Sequence, residues 1–566
     1  MITFNYLLEQ VKLYKKPIII ANVLALIVTF ISVPIPLFIP FLVDEVLLGK
    51  EGKFIDFINQ FVQINSAEYY ILIVFILTLF LHALVVIIGI MRNAYLDKVS
   101  EEIRLNIRQK ILLHLKKVSM SEYDMLGSGS ISSKMGTDIR VVIDFLSSSM
   151  GTIVIQLLKL FGMSAVLLYL NWKLALVILV INPIVVKVFI KVFKKLSELM
   201  KDRNKTIATF NNSLVEGLEL FNQIRVQNRE NHFFDKINHD ATEVRDKTYE
   251  YEVKWFKSLG VARLWMVYSN TLFQMLAVYF VYIGEMSIGE MMAIFVYAGM
   301  VQAPMNILLR FVQSYHDAKE AMDRLNDILR LKKEPYYEMK KDPFRGKETA
   351  SIELRDVSFA YDEHKSILKN FNLKIEAGEK VAITGETGSG KSTLANILMG
   401  LYPVTKGKIF YNGVEVKEVG FEKIRENIGF VLQSPLMFND TLRYNLSIGN
   451  EYSDEEMYEA LKVAQLYEFV QELPKKLDTI IGKNGTKLSG GQKQRLSIAR
   501  VLLDRPKVII FDESTSSLDN DTETKLLDAL DDYIKNKTVI TIAHRQTTID
   551  KSENVLRLYP IKEEKR

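Results

Sequence analysis

The sequence predicts an all-α membrane domain of six transmembrane helices followed by a P-loop α/β domain. Three observations predict it. Six long stretches with almost no charge fill the first 310 residues. A short buried strand runs into a glycine-rich loop and a helix at 385–393. A second buried strand downstream ends in Asp512. The length, 566 residues, exceeds what one packed core serves, so at least two domains are expected. The mean hydropathy of +0.09 averages over an apolar part and an ordinary soluble part. With 49% apolar and 25% charged residues, the chain is neither disordered, collagen-like nor a coiled-coil rod. A net charge of +5 is small for this length and gives no case for a nucleic-acid partner. Cysteine is absent, which excludes disulfides, thiolate metal sites and a cysteine nucleophile.

Crossing a bilayer core of about 30 Å takes about 20 apolar residues in a helix. Candidate spans lie at about 17–43, 69–91, 145–170, 172–191, 260–284 and 288–309. Any one of them could be a buried soluble helix, but six do not fit one soluble core. Pro34, Pro36 and Pro40 crowd the far half of the first, where helix breaks need neighbouring groups to satisfy freed carbonyls. No small-residue cleavage site follows that run, so it reads as a retained span. Asn171 separates the third and fourth spans as a tight hairpin.

Loop charge gives the orientation. Residues 44–68 hold two lysines and five carboxylates, whereas 91–140 hold nine Lys/Arg and 187–257 hold fourteen. The basic segments and both chain ends are therefore expected in the cytoplasm. These long segments read as helical extensions: Val99, Ile103, Ile107, Ile111 and Leu115 recur at helical spacing. Residues 121–126 and 207–214 are candidates for short crosswise pieces at the two tips. The division expected is 1–330 as transmembrane domain, 331–350 as linker and 351–566 as nucleotide-binding domain.

The loop reads Gly385-Glu386-Thr387-Gly388-Ser389-Gly390-Lys391-Ser392-Thr393, the pattern G-x-x-x-x-G-K-[ST] in its strand–loop–helix context. Backbone N–H groups of such a loop curl round phosphate oxygens, and the helix N-terminus adds positive potential. Lys391 suits the β- and γ-phosphates, and Ser392 offers a hydroxyl to Mg²⁺. At 508–512 apolar residues bury a strand and bring Asp512 to its carboxyl end, where ligands bind in open α/β sheets. Asp512 is the expected Mg²⁺ partner, and Glu513 is the general-base or water-polarising candidate. Further on, Ser489, Gly490, Gly491 and Gln492 open a helix and form a second anion site. One P-loop site has no use for it within the same subunit. A head-to-tail dimer gives it one, against the partner's γ-phosphate.

At these residues the chain resembles an ATP-binding-cassette (ABC) exporter half-transporter of the six-span type with a fused P-loop α/β ATPase domain. The resemblance runs from the first span to about residue 558. It implies that 385–393 is the Walker A loop, 508–512 the Walker B strand, Glu513 the catalytic glutamate and 488–492 the signature motif. It further implies a Q-loop role for Gln433 at Mg²⁺ and at the membrane-domain contact. Adenine stacking falls to Tyr361, the D-loop to 517–519 with Asp519, and the γ-phosphate switch to His544. Residues 121–126 and 207–214 fall where the family has coupling helices. One departure is visible: 482–487 lacks the Glu-Arg pair often present before the signature in exporters, which puts family-style cross-talk through that loop in doubt.

The reading is an ATP-hydrolysing exporter that uses ATP and Mg²⁺ to move an amphipathic substrate (a drug, lipid or peptide) out of the cytoplasm by alternating access. It is expected in the bacterial cell (inner) membrane among lipid. Intact Walker A, Glu513, signature and His544 favour a homodimer over half of a heterodimer. A nucleotide-gated channel or regulator is the alternative, and intact Glu513 and His544 argue against it. A peptidase-containing peptide exporter fails for want of a cysteine nucleophile and of room before the first span. Lys159 stands about 16 Å inside its span, counted from residue 170. A cation at that depth costs at least about 2.5–3.5 kcal/mol. It is a candidate contact for an anionic group of the substrate, with a structural hydrogen bond as the plainer reading.

Overall fold

The computed structural model describes residues 1–566 except 51, 61–65, 148, 150–152, 362–365, 514–519, 544–548, 551 and 561–566. The chain divides into two units, Met1–Leu113 with Gly129–Arg330, and His114–Ser128 with Leu331–Arg566.

Among its described residues the first unit is built of helices joined by short turns, and the described parts of the apolar stretches are mostly helical. The first helix, Lys15–Ser32, gives way to a 3₁₀ turn at Ile35–Leu37, a short helix Phe38–Pro40 and a π-helical segment Phe41–Leu47. Three prolines cause the break, since each lacks an N–H to donate. The carbonyl of Val33 is among those left over, and the buried Tyr297 hydroxyl donates to it at 2.6 Å from another helix. This is the neighbouring-helix rescue that a broken helix in lipid needs.

Helix Ala67–Leu115 has 49 residues. At 1.5 Å per residue it is roughly 70 Å long, more than twice a bilayer core of about 30 Å, so it must project beyond the membrane. Its early part exposes large apolar side chains such as Phe75, Phe80 and Ile90, whereas Val99, Ile103, Ile107 and Ile111 are buried at helical spacing further on. Asn171 makes the hairpin by capping: its Oδ1 accepts from Leu174 N at 3.1 Å, closing Val154–Leu170 and opening Trp172–Glu219. Glu230–Tyr282 and Ile288–Arg330 complete the set. Among the described residues, Lys15–Leu47, Ala67–Leu115 and Glu230–Tyr282 are long and apolar enough to cross a membrane, and Val154–Leu170 and Ile288–Val301 are shorter apolar helices.

The two crosswise candidates fare differently. Met120–Leu126 is a separate short helix, ended by Gly127 with φ 74°. The segment 207–214, by contrast, lies inside the unbroken helix Trp172–Glu219. The short element falls later, at Phe221–Val226, after a break at Leu220. Nothing within 207–214 breaks a helix, and the glycine nearest the observed end is Gly217, in the last turn before Leu220. Ile224 of this short element is buried. Elsewhere in this unit Asp138 is buried and takes a forked pair of bonds from Arg324, at 2.7 and 3.1 Å.

The second unit contains two sheets. Strands β1 (Ile352–Ala360), β2 (Ser366–Ile375), β4 (Lys406–Tyr411) and β5 (Val414–Glu415) pair antiparallel in the order β2-β1-β4-β5. Strands β3 (Lys380–Gly385), β6 (Ile428–Val431), β7 (Val508–Asp512), β8 (Thr538–Ile542) and β9 (Asn554–Leu558) form a parallel sheet, order β6-β7-β8-β3-β9. Every residue of β7 is buried, as the continuous apolar run requires for a strand covered on both faces. Helix Lys391–Leu398 packs against both β3 and β7. The segment entering this unit from the spans is zipped to the approach to helix 120–126: Ser119 N donates to Lys332 O at 3.0 Å and Glu334 N to Lys117 O at 2.8 Å.

Candidate active site

All five strands of the parallel sheet point the same way, so their carboxyl ends share one edge. The phosphate loop leaves β3, Gln433 follows β6, and Asp512 and Glu513 end β7. Strand β8 finishes at Ile542, two residues before His544. His544 and Asp519 themselves lie outside the described residues.

The phosphate loop wraps tightly. Lys391 Nζ donates to the carbonyls of Gly385 (2.9 Å) and Glu386 (3.1 Å), so the ammonium lies across the loop rather than in solvent. Gly388 and Gly390 have φ of +83° and +94°, where a side chain is strained. At Gly385, with φ +150°, lack of space adds to the strain: a Cβ would run into the backbone carbonyl oxygen of Leu558 on β9. The hydroxyl of Ser389 is buried, with the residue 3% exposed, and has no hydrogen-bond partner among the described residues. Buried polar groups are normally satisfied, so an orphan inside a phosphate-type loop fits a loop built for an anion. Glu386, Thr387, Ser392 and Thr393 complete the segment. The residues present therefore fit a nucleotide triphosphate.

Asp512 is buried at the end of β7, and Glu513 begins the loop beyond it with φ 45°. That left-handed backbone is uncommon for a glutamate and turns its carboxylate out of the strand direction. Gln433 reaches it: its Nε2 donates to Glu513 Oε2 at 2.7 Å. Two residues singled out separately in the sequence are thus in direct contact. Among the described residues no group of three or more His, Asp or Glu side chains is arranged to hold a metal. A Mg²⁺ site made from Ser392, Gln433 and Asp512 would have few protein ligands, as is usual where phosphate oxygens and water fill the coordination sphere.

Tyr361 stands 46% exposed at the end of β1. Its hydroxyl is 3.1 Å from Thr393 Oγ1, and its ring meets Phe359 and Tyr402 edge-on at 5.0 and 5.2 Å. A partly open ring held by two others is a firm platform for a base. Tyr402 was not marked by the sequence. Its hydroxyl donates to Asp124 of helix 120–126 at 2.7 Å. Burial first, then that bond, raises its pKa above the ordinary tyrosine value, so it is a donor at any physiological pH.

The signature helix, Gly490–Leu503, starts with a reciprocal cap. Ser489 Oγ accepts from Gln492 N at 3.2 Å, and Gln492 Oε1 accepts from Ser489 N at 2.8 Å. Because Oγ accepts there, the hydroxyl proton of Ser489 remains available for an anion. Gln494 was also missed. It is buried, one turn from Ile498 on the same helix face, and an amide on an apolar face was the available signal.

Helices of membrane length joined to this nucleotide site define an ATP-hydrolysing membrane transporter. Residues 18–305 match the model of the ABC transporter transmembrane region, and residues 368–516 match that of the ABC transporter ATPase. A Bacillus subtilis protein, provisionally named a multidrug export ATP-binding/permease protein, is 30% identical over 557 residues, 97% of this chain and 93% of that protein. The ATP-dependent lipid A-core flippase of Haemophilus influenzae (strain 86-028NP) is 31% identical over 477 residues, 82% of this chain and 79% of the flippase. The structure of a bacterial Atm1-family ABC exporter with ATP bound superposes with a TM-score of 0.77, at 22% identity, over 99% of this chain and 95% of that one. The chain belongs to the ABC transporter family, as an exporter with its transmembrane region and ATPase domain fused. Relatives named as exporters do not favour the nucleotide-gated alternative.

The loop geometry makes a distinguishing prediction. Gly385→Ala must displace β9, whereas Gly388→Ala has open space and pays only the backbone strain, about 1–2 kcal/mol. Gly385→Ala should therefore lower both the melting temperature and the affinity for a fluorescent ATP analogue well below those of Gly388→Ala. Equal losses in the two variants would mean that contact with β9 is unimportant.

Proposed function

We propose that this chain is one half of a homodimeric exporter that moves an amphipathic substrate out of the cytoplasm by alternating access. Both termini and the ATPase domain face the cytoplasm, and the protein lies in a bacterial inner membrane among lipid. The observation that carries the reading is the contact of Gln433 with Glu513 at the sheet edge that also bears the phosphate loop. A base candidate, a ligand candidate and a triphosphate cradle are together in a chain that also carries membrane helices.

Each residue has a task. The phosphate-loop amides and Lys391 hold the β- and γ-phosphates, and the open face of Tyr361 stacks on adenine. Ser392, Gln433 and Asp512 hold Mg²⁺, which neutralises phosphate charge when bound. Glu513 orients and polarises the attacking water, and His544 steadies the γ-phosphate. Ser489, Gly490, Gly491 and Gln492, with Asp519 beside the interface, close over the ATP of the opposite subunit. Binding of two ATP molecules draws the subunits together, and hydrolysis releases them. The spans change access because the closed and open dimers differ in affinity for ATP.

Glu513→Gln should keep ATP binding and lose nearly all hydrolysis, while Lys391→Ala should weaken binding itself. Turnover near wild type in the glutamine variant would remove Glu513 from its role. Native mass measurement of the protein in nanodiscs should give two chains. A single chain with full ATPase activity would overturn the dimer.

Lys159 points to a substrate with an anionic group. It is half-buried in helix Val154–Leu170, with no ion pair or hydrogen bond among the described residues. Lys159→Met should leave basal ATPase intact and lower its stimulation by an anionic amphiphile such as a lysophosphatidate, more than by a neutral one. Lys159→Arg should retain more of it. Equal stimulation of wild type and the methionine variant would take the charge out of substrate handling.

A further inference from the structure

Three residues from separate segments are connected in series within the ATPase unit. Gln494, 2% exposed, lies one turn into the signature helix, and its Nε2 donates to the backbone carbonyl of Gln433 at 3.2 Å. Gln433 in turn donates through its own side chain to Glu513 at 2.7 Å. The far end of the same loop is fixed to the same helix. Arg500 Nε donates to Asn445 O at 2.7 Å and its guanidinium lies 3.4 Å from Met437 Sδ. Asn445 holds Phe438 by both its N–H (2.8 Å) and its carbonyl (3.1 Å). The loop 433–445 thus rides on the signature helix at both ends, and at Gln433 itself the link to that helix is Gln494.

In the dimer proposed above, the two ends of this chain of bonds serve different nucleotides. Ser489 and the glycines after it face the ATP held by the partner's phosphate loop. Gln433 and Glu513 serve the ATP held by this chain. The helix between is capped, regular and packed along one face, so it moves as a body. We infer that Gln494 is a positioning residue that makes hydrolysis at one composite site depend on the nucleotide at the other. When the partner's ATP draws the first turn of the signature helix inward, the amide of Gln494 carries the Gln433 carbonyl with it. The Gln433 side chain then takes up a new position against Glu513. The inference rests on the dimeric reading. It needs no contribution from residues 482–487, where the Glu-Arg pair is missing. The plain alternative is that Gln494 only satisfies a buried carbonyl.

The two are separated by dimers in which one subunit carries Glu513→Gln, purified through two different tags and assayed for ATPase activity in nanodiscs. With Gln494 in both subunits, one dead site should silence most of the other, leaving well under half of the wild-type rate. With Gln494→Leu in both subunits, which keeps the volume and loses the donor, the mixed dimer should retain about half the rate of the Gln494→Leu dimer. Gln494→Met provides a second donor-free side chain should leucine disturb folding. A merely structural amide would lower the melting temperature and leave the ratio of mixed to unmixed dimer unchanged, which overturns the proposal. Mixed dimers with Gln494 that already retain half the rate overturn it too. A protein found as a single chain removes the dimeric reading instead, which the native mass reports separately.

Discussion

The parallel register of β6-β7-β8-β3-β9 is the constraint on which the site depends. In an antiparallel sheet, successive strands would end at opposite edges. Here the hydrogen-bonded pairs, such as Ile383 with Ile542 and Phe511 with Thr541, keep all five strands running one way. The phosphate loop, Gln433, Asp512 and Glu513 come from positions as far apart as 385 and 513, yet each only has to leave its strand to reach the others. The register also explains the tightness of Gly385, because β9 ends beside it at Leu558. A shift of one residue between β3 and β9 would move that carbonyl and reshape the first turn of the loop.

The bilayer imposes the corresponding constraint on the first unit. Lipid offers no partner for a free carbonyl, so the proline break after Ser32 is tolerable only with a donor from elsewhere in the protein. Tyr297 supplies it, and its full burial shows that its position is set by packing. Asn171 solves the same problem at the hairpin with its own side chain. Both are consequences of taking backbone polar groups out of water.

What the sequence made legible follows from how local each signal is. The membrane helices, the phosphate loop and the strand ending in Asp512 were readable because length, glycine spacing and apolar runs act within a few residues. The helical extension through residues 99–111 was readable because Val99, Ile103, Ile107 and Ile111 repeat at helical spacing. The second crosswise element was misplaced because 207–214 itself is good helix, and Gly217, in the last turn before the break at Leu220, is a weak local signal. Tyr402 and Asp124 are 278 positions apart, and nothing near either announces the bond between them. Gln494 was partly legible. It lies beside the signature motif, but the motif drew attention to the residues that face solvent, and the buried amide behind them holds the loop.

In the proposed dimer, the division of each site between two subunits has an energetic sense. Moving a two-state equilibrium from 1:99 to 99:1 takes a differential affinity of about 10⁴, or about 5.5 kcal/mol. One ATP molecule at one site would have to supply all of it. Two molecules divide the requirement, so each needs only about a 100-fold preference for the closed dimer, a difference of about 2.7 kcal/mol. In the proposed dimer, one or two charge-assisted hydrogen bonds from Ser489 and its neighbouring amides to the opposite ATP, at about 1.5–3 kcal/mol each, would be of that order. The arithmetic works only if both nucleotides report to the same equilibrium. Closure of the proposed dimer is such an equilibrium, and the proposed link through Gln494, from the signature helix to the Gln433 loop, would add a second coupling to it.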